Sequence, residues 1–157
     1  MADSILTTAE RTFLAELSTR GVRFMVVGMS AALIQGARGA TEDIDLWFED
    51  LTDRRIGEAA REAGGLWVSG AFGMSPPRLA GEALSERFDV VTHMSGLGDF
   101  ASEYAAVRFE DIEGVAIPLL PLRRILASKR AAGRAKDEAL IHALEDALAL
   151  IEQGEQE

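Results

Sequence analysis

Apolar residues along the chain recur with two periods, and the alternation between them lays out the elements. Phe13, Leu14 and Leu17 fall at helical spacing, predicting a helix from Thr7 or Thr8 to Thr19 that Gly21 ends. Residues 23–27 (Arg-Phe-Met-Val-Val) read as a short buried strand. Gly28 follows, then a short helix over 30–35 closed by Gly36. A second strand is expected over 43–49 and a helix over 51–63, ended by Gly64 and Gly65. Residues 66–68 form a brief strand, and the glycines and paired prolines of 70–81 predict a loop. A third strand covers 87–93 and a short helix 99–106. Strands over 107–110 and 115–119 pair around Glu113 and Gly114. Helices over 122–132 and 137–151 close the chain, the last with Leu140, Ile141, Leu144, Leu148 and Ile151 as a core-facing stripe. Helices interleaved with short strands imply an α/β or α+β fold, a small mixed sheet flanked by helices. No internal repeat or low-complexity segment interrupts it.

The second strand carries an unusual pattern. In Thr41-Glu-Asp-Ile-Asp-Leu-Trp-Phe48, Asp43 and Asp45 alternate with Ile44 and Leu46. Successive side chains on a strand point to opposite faces, so the two carboxylates share one face. Like charges so placed need water or a cation. An acidic solvated strand face and a divalent-metal site both satisfy that demand. Asp89, between Phe88 and Val90 on the third strand, is a candidate third carboxylate; alone it would be a cap or a surface residue. Gly28 opens a helix directly after a strand, where a ligand can approach the backbone and free N–H groups favour phosphate; alone it is a turn glycine. Three carboxylates on neighbouring strands beside that glycine fit a Mg²⁺-nucleotide site.

Composition narrows the classes. The chain has 157 residues, enough for one domain with its own core, and 48% of them are hydrophobic. We expect a single domain over 1–157, with a core at about 20–120 and a helical segment at 121–152. The formal charge of −10 argues against a long nucleic-acid duplex as partner. There is no cysteine, so disulfides and thiolate-metal sites are excluded. With no basic, apolar leader at the start and no apolar run near the ~20 residues a membrane span needs, a cytoplasmic protein that uses no membrane is expected. Against the acidic background, Arg123, Arg124, Lys129, Arg130, Arg134 and Lys136 crowd one segment. They are either a solvated helix face or a site for a triphosphate.

Together these residues carry a resemblance. FMVVGMSAALIQGARGATEDIDLWFE resembles the signature of the minimal nucleotidyltransferase superfamily, the polymerase-β-like fold: a strand, a small-residue pair, a short helix, then Asp-hydrophobic-Asp. Gly36, Arg38, Thr41, Asp43 and Asp45 also match the variant found in the MNT-like and AbiEii-like toxin–antitoxin group. VAIPLLPLRRILASKRAAGRAKDEALIHALE is similar to that group's tail, and the resemblance covers about residues 20–150.

The resemblance implies a nucleotidyltransferase fold and two Mg²⁺ ions. Asp43 and Asp45 would be ligands and Asp89 both the third ligand and the acceptor of a hydroxyl proton. Gly28, Ser30, Lys129 and Arg134 would meet the nucleotide. The implied reaction moves a nucleoside monophosphate from a nucleoside triphosphate to a hydroxyl of a small molecule, protein or RNA. The alternative is a catalytically weak or inactive partner of a cognate toxin or antitoxin protein. The chain departs from the pattern at Met29, where the family has a small residue, so that a methionine side chain would crowd the phosphates. Gln35 stands where a histidine is usual. His93 falls on the same strand face as Asp89, four residues on, His142 on a partly exposed helix side, Asp137 at the cap of the last helix, and Trp47 and Trp67 in the core.

Overall fold

The apolar face of the first helix, α1 (Thr8–Thr19), carries a carboxylate at its start. Thr7 caps it: its Oγ1 accepts the Glu10 N–H at 3.1 Å, while Glu10 Oε1 accepts the Thr7 N–H at 2.8 Å. This reciprocal box satisfies two of the N–H groups that a helix start leaves free. Phe13, Leu14 and Leu17 are fully buried, each worth ~1.5–3 kcal/mol of apolar transfer. The computed structural model describes residues 5–70 and 75–155. After α1 come β1 (Phe24–Val27), α2 (Gly28–Ile34), β2 (Ile44–Phe48), α3 (Arg54–Glu62), β3 (Leu66–Val68), β4 (Arg78–Ala80) and α4 (Glu82–Ser85). Then follow β5 (Phe88–Val91), α5 (Phe100–Tyr104), β6 (Arg108–Ile112), β7 (Val115–Leu119), α6 (Leu122–Ala132), a 3-10 turn (Ala135–Asp137) and α7 (Glu138–Glu155).

Five strands form one mixed sheet in the order β5-β2-β1-β7-β6. β1 runs antiparallel to β2 and parallel to β7, β2 parallel to β5, and β6 antiparallel to β7. β1 is central, and all of its residues are buried. Helix α1 packs on α3, α4 and β7; α2 packs on β1, β2 and α6; α7 packs on α6. This is the mixed sheet flanked by helices that the alternating periods predict. The stripe on α7 also faces the core, with Leu144 buried and Leu140, Ile141, Leu148 and Ile151 packed against it. Trp47 is buried edge-on against Phe100. Trp67 is half-buried against Phe48, with its indole N–H donating to the Leu51 carbonyl at 3.3 Å. Among the described residues no helix is long and apolar enough to cross a membrane.

Several boundaries differ from the pattern, each for a local reason. α3 starts at Arg54, not 51, because Asp53 accepts the Arg55 N–H at 2.9 Å as a cap and Asp50 turns the chain by accepting the Thr52 N–H at 2.9 Å. Part of the expected 70–81 loop is strand: β4 pairs antiparallel with β3 and buries Leu79. Residues 71–74 of that loop lie outside the described residues. The third strand ends at Val91, which leaves His93 beyond it. β6 runs on to Ile112, and the turn into β7 has Glu113 at φ 53° and Gly114 at φ 88°. Two successive positive φ angles match the twist of a tight hairpin. Asp137 directly precedes α7. It sits buried in the 3-10 turn, and its Oδ2 accepts from Arg134 Nε at 2.9 Å.

Candidate functional site

Strand register builds the site. Val27, the last residue of β1, pairs with Asp45, and Asp45 in turn pairs with Asp89 on the parallel strand β5. Parallel neighbours in register present their side chains to the same face, with strands ~4.8 Å apart. Asp45 and Asp89 are therefore side by side. Asp43 lies one residue before β2, exposed, with its N–H donated to Thr41 Oγ1 at 3.2 Å. Burial first, then the charges of Asp89 and Asp43, push the half-buried Asp45 carboxyl up to about 6, with Lys129 pulling the other way. Both carboxylates expected beside Asp45 are thus close enough for their charge to act on it.

Gly28 is required where it stands. Its φ is +68°, and a Cβ there would overlap Asp45 Oδ2. The bare backbone at the start of α2 lets the carboxylate lie against it. Gln35 then fixes the other end of α2. Its amide donates to the Leu120 carbonyl at 2.8 Å and accepts the Leu122 N–H at 3.3 Å, which ties α2 to the start of α6. Glu103 holds α6 from α5, accepting Arg124 Nε at 2.6 Å and Nη2 at 3.0 Å. So anchored, α6 carries Lys129 to the carboxylates.

A cleft of about 450 Å³ results, lined by Gly28, Asp45, His93, Ser128, Lys129 and Arg134 among others. Four of the expected site residues, Gly28, Asp45, Lys129 and Arg134, therefore meet in one place. Arg134 is half-exposed and already paired with Asp137. Ser30 does not join them: it is buried, and its hydroxyl donates to the Val27 carbonyl at 3.3 Å. Met29 does not crowd the cleft, because its side chain packs against Gly39. His93 reaches the cleft from a loop rather than from the strand face of Asp89, and it also lines an adjoining cleft with Trp47, Glu49, Asp50 and Asp99. His142 is exposed on α7, away from this cleft. The sequence gives no sign of Ser128, which is buried in α6 and reaches the cleft beside Lys129. Glu10 and Arg87 were likewise unmarked, although Glu10 stands in helical register with Phe13, Leu14 and Leu17 on a buried face.

The donors suit a hard divalent cation. Among the described residues no three carboxylate or imidazole groups converge into a ready-made cage. Mg²⁺ needs none: it is commonly held by one or two carboxylates, with water and substrate phosphates filling an octahedron. Asp45 and Asp89 would supply that pair, and the raised pKa of Asp45, from burial first and then from the charges of Asp89 and Asp43, marks a cost of ionisation that a cation would relieve.

The sequence matches no protein-family model and no curated protein. Two solved structures of an aminoglycoside nucleotidyltransferase resemble the fold. One is ANT(2'')-Ia in complex with adenylyl-2''-tobramycin, at TM-score 0.55 and 15% identity, covering 89% of this chain and 86% of that one. The other is the solution structure of the antibiotic-resistance factor ANT(2'')-Ia, at TM-score 0.51 and 15% identity, covering 95% and 96%. The likeness runs nearly the whole length of both chains and concerns their folds. With its five-stranded mixed sheet and flanking helices, the chain has the nucleotidyltransferase fold.

Proposed function

We propose that the chain transfers a nucleoside monophosphate from a nucleoside triphosphate to an acceptor hydroxyl. The observation that carries this is the in-register pair Asp45 and Asp89, of which Asp45 lines a cleft with Lys129. Asp45 and Asp89, with Asp43 beside them, would hold Mg²⁺, as two ions on the resemblance. When bound, the metal neutralises charge on the attacking and leaving oxygens of an in-line displacement. Lys129 and Arg134 take the triphosphate's charge, and the backbone at Gly28 lets it approach. The acceptor oxygen forms a bond to the α-phosphorus while the α–β bridging bond breaks. Pyrophosphate departs with the electron pair, and the hydroxyl proton passes to the Asp89 carboxylate.

The acceptor is a hydroxyl-bearing small molecule on this reading. The adjoining cleft of about 480 Å³ is lined by Glu49, Asp50 and Asp99 and shares Val91 and His93 with the first. Its carboxylates favour a cationic acceptor, and ANT(2'')-Ia was solved with an adenylylated aminoglycoside. Transfer of label from α-labelled triphosphates to a panel of hydroxyl acceptors, beginning with aminoglycosides, tests the proposal. Label should move only with Mg²⁺ and not in Asp45→Asn or Asp89→Asn. A second reading, a catalytically weak partner of a toxin–antitoxin type system, is favoured by one observation, the lack of a converged three-ligand cage among the described residues. Nucleotide binding without transfer to any acceptor, cognate protein included, would select it.

A further inference from the structure

Asp45 and Asp89 can cooperate only while β2 and β5 keep their register; β2 buries four of its five residues, so β5 is the strand that specifies it weakly. β5 is a four-residue strand at the sheet edge, and only Phe88 in it is buried. Register is strongly specified where one strand face is buried, and a slip of one residue turns every side chain to the opposite face. Such a slip would carry Asp89 away from Asp45.

Arg87, the residue before β5, supplies the missing constraint. Its carbonyl accepts the Ile44 N–H at 2.7 Å, and Ile44 lies between Asp43 and Asp45. Its guanidinium is held from the other side. Nε donates to Glu10 Oε2 at 2.8 Å, Nη2 donates to Glu10 Oε1, and Nη2 also reaches the Ile5 carbonyl at 2.8 Å. Glu10 cannot drift, because it is 2% exposed and its Oε1 also closes the capping box of α1. Phe13 from α1 packs edge-on against Phe88, one residue further along, with ring centroids 5.4 Å apart. An ion pair on a buried carboxylate is a poor source of net stability, but the two-pronged contact between guanidinium and carboxylate admits one arrangement of the partners.

We infer that Glu10 and Arg87 form a clamp that sets the β2–β5 register and so positions Asp45 and Asp89 as a metal-binding pair. Neither residue touches the substrate; both are positioning residues. The metal consequence rests on the proposed function, whereas the register consequence does not.

Two readouts separate them. Amide hydrogen exchange of Ile44 reports the clamp without any metal. Mn²⁺ affinity, followed by paramagnetic resonance of free ion, reports the pair. The variants are Glu10→Gln, Arg87→Lys and Arg87→Met. Arg20→Met is the control: it breaks the ion pairs of Arg20 with Glu16 on α1 and with Glu58 on α3, which belong to neither β2, β5 nor the cleft. We expect Ile44 to lose protection at least tenfold more than Val26 in Arg87→Met, with Arg87→Lys intermediate. Mn²⁺ should bind about tenfold more weakly in Arg87→Met and Glu10→Gln, the loss typical of removing a group that orients metal ligands. Arg20→Met should show neither effect at a similar loss of Tm. If Ile44 and Val26 lose protection equally, or Mn²⁺ affinity is unchanged while Tm falls, the clamp is a mere fastening and the inference fails. If the unaltered protein binds no Mn²⁺, the metal site fails and Ile44 exchange alone decides the clamp.

Discussion

Replacing Asp45 with asparagine should make the metal-free protein more stable, because the carboxylate sits where the fold disfavours its charge. Burial and the neighbouring Asp89 and Asp43 raise its carboxyl from 3.8 to about 6. A raised pKa in the folded state contributes stability that is complete below the unfolded value and is lost as pH rises through the folded one. The loss therefore falls between about pH 4 and pH 6, and above that window the charged Asp45 is a standing cost. Two units correspond to about 3 kcal/mol. The side chain is only half-buried, and solvent screening reduces this to about 1–2 kcal/mol. Asparagine keeps the shape and removes the charge. In EDTA at pH 7.5, Asp45→Asn should raise Tm by about 2–8 °C for a chain this size. At pH 4.5 the gap should close, since most of the wild-type carboxyl is then protonated in the fold. Mg²⁺ with a triphosphate should reverse the order, stabilising the wild type alone. Paired melting curves across pH 4.5–7.5 decide it. A variant less stable than wild type at pH 7.5, or a gap that ignores pH, would refute the assigned electrostatics.

Gly28→Ala should cost at least about 1–2 kcal/mol in urea unfolding, the penalty for a left-handed backbone with a Cβ. It should also abolish triphosphate-dependent stabilisation by displacing the Asp45 carboxylate. Lys129→Met should leave the urea midpoint close to wild type but weaken triphosphate binding by roughly tenfold or more in calorimetric titration, as expected for a lost charged hydrogen bond. Glu103→Gln tests the acid limb. Hydrogen bonds from Arg124 hold the Glu103 carboxyl below its usual 4.5, so its contribution is present at neutral pH and is lost as pH falls through the folded value. The difference in urea midpoint between wild type and Glu103→Gln should therefore be full at pH 7 and shrink as pH falls below 4.5.

Those elements that bury a full stripe or a full strand were readable. Helix α6 and strand β7 run over the residues that the pattern predicts, and α1 begins at the capped threonine. Elements too short to show a period were not. Arg78–Ala80 is a three-residue strand after two prolines, and Glu82–Ser85 a single helical turn. Their structure comes from pairing with Leu66–Val68 and from burying Leu79 and Leu84, contacts that no local pattern encodes. At the site, Asp43, Asp45 and Asp89 were each visible as candidates, but that Asp45 and Asp89 stand side by side follows only from strand order, since β2 pairs with β5 across 39 intervening residues. Lys129 reaches the same cleft because Gln35 and Glu103 dock α6, and neither residue is marked for that role by type or spacing. Ser30 is of a type that suits phosphate, and only the fold shows that the start of α2 turns its hydroxyl back to Val27. Glu10 could have been found, since a carboxylate on a buried helix face requires a cation; only the fold names Arg87.

The central claim is that the Asp45–Asp89 pair holds a divalent cation on which triphosphate binding depends. Calorimetric titration of each ribonucleoside triphosphate, with Mg²⁺ and with EDTA, tests it in wild type and in Asp45→Asn/Asp89→Asn. The account predicts saturable binding of at least one triphosphate that needs both Mg²⁺ and the two carboxylates. Binding that persists in EDTA or in the double variant, or no binding of any triphosphate, would contradict it.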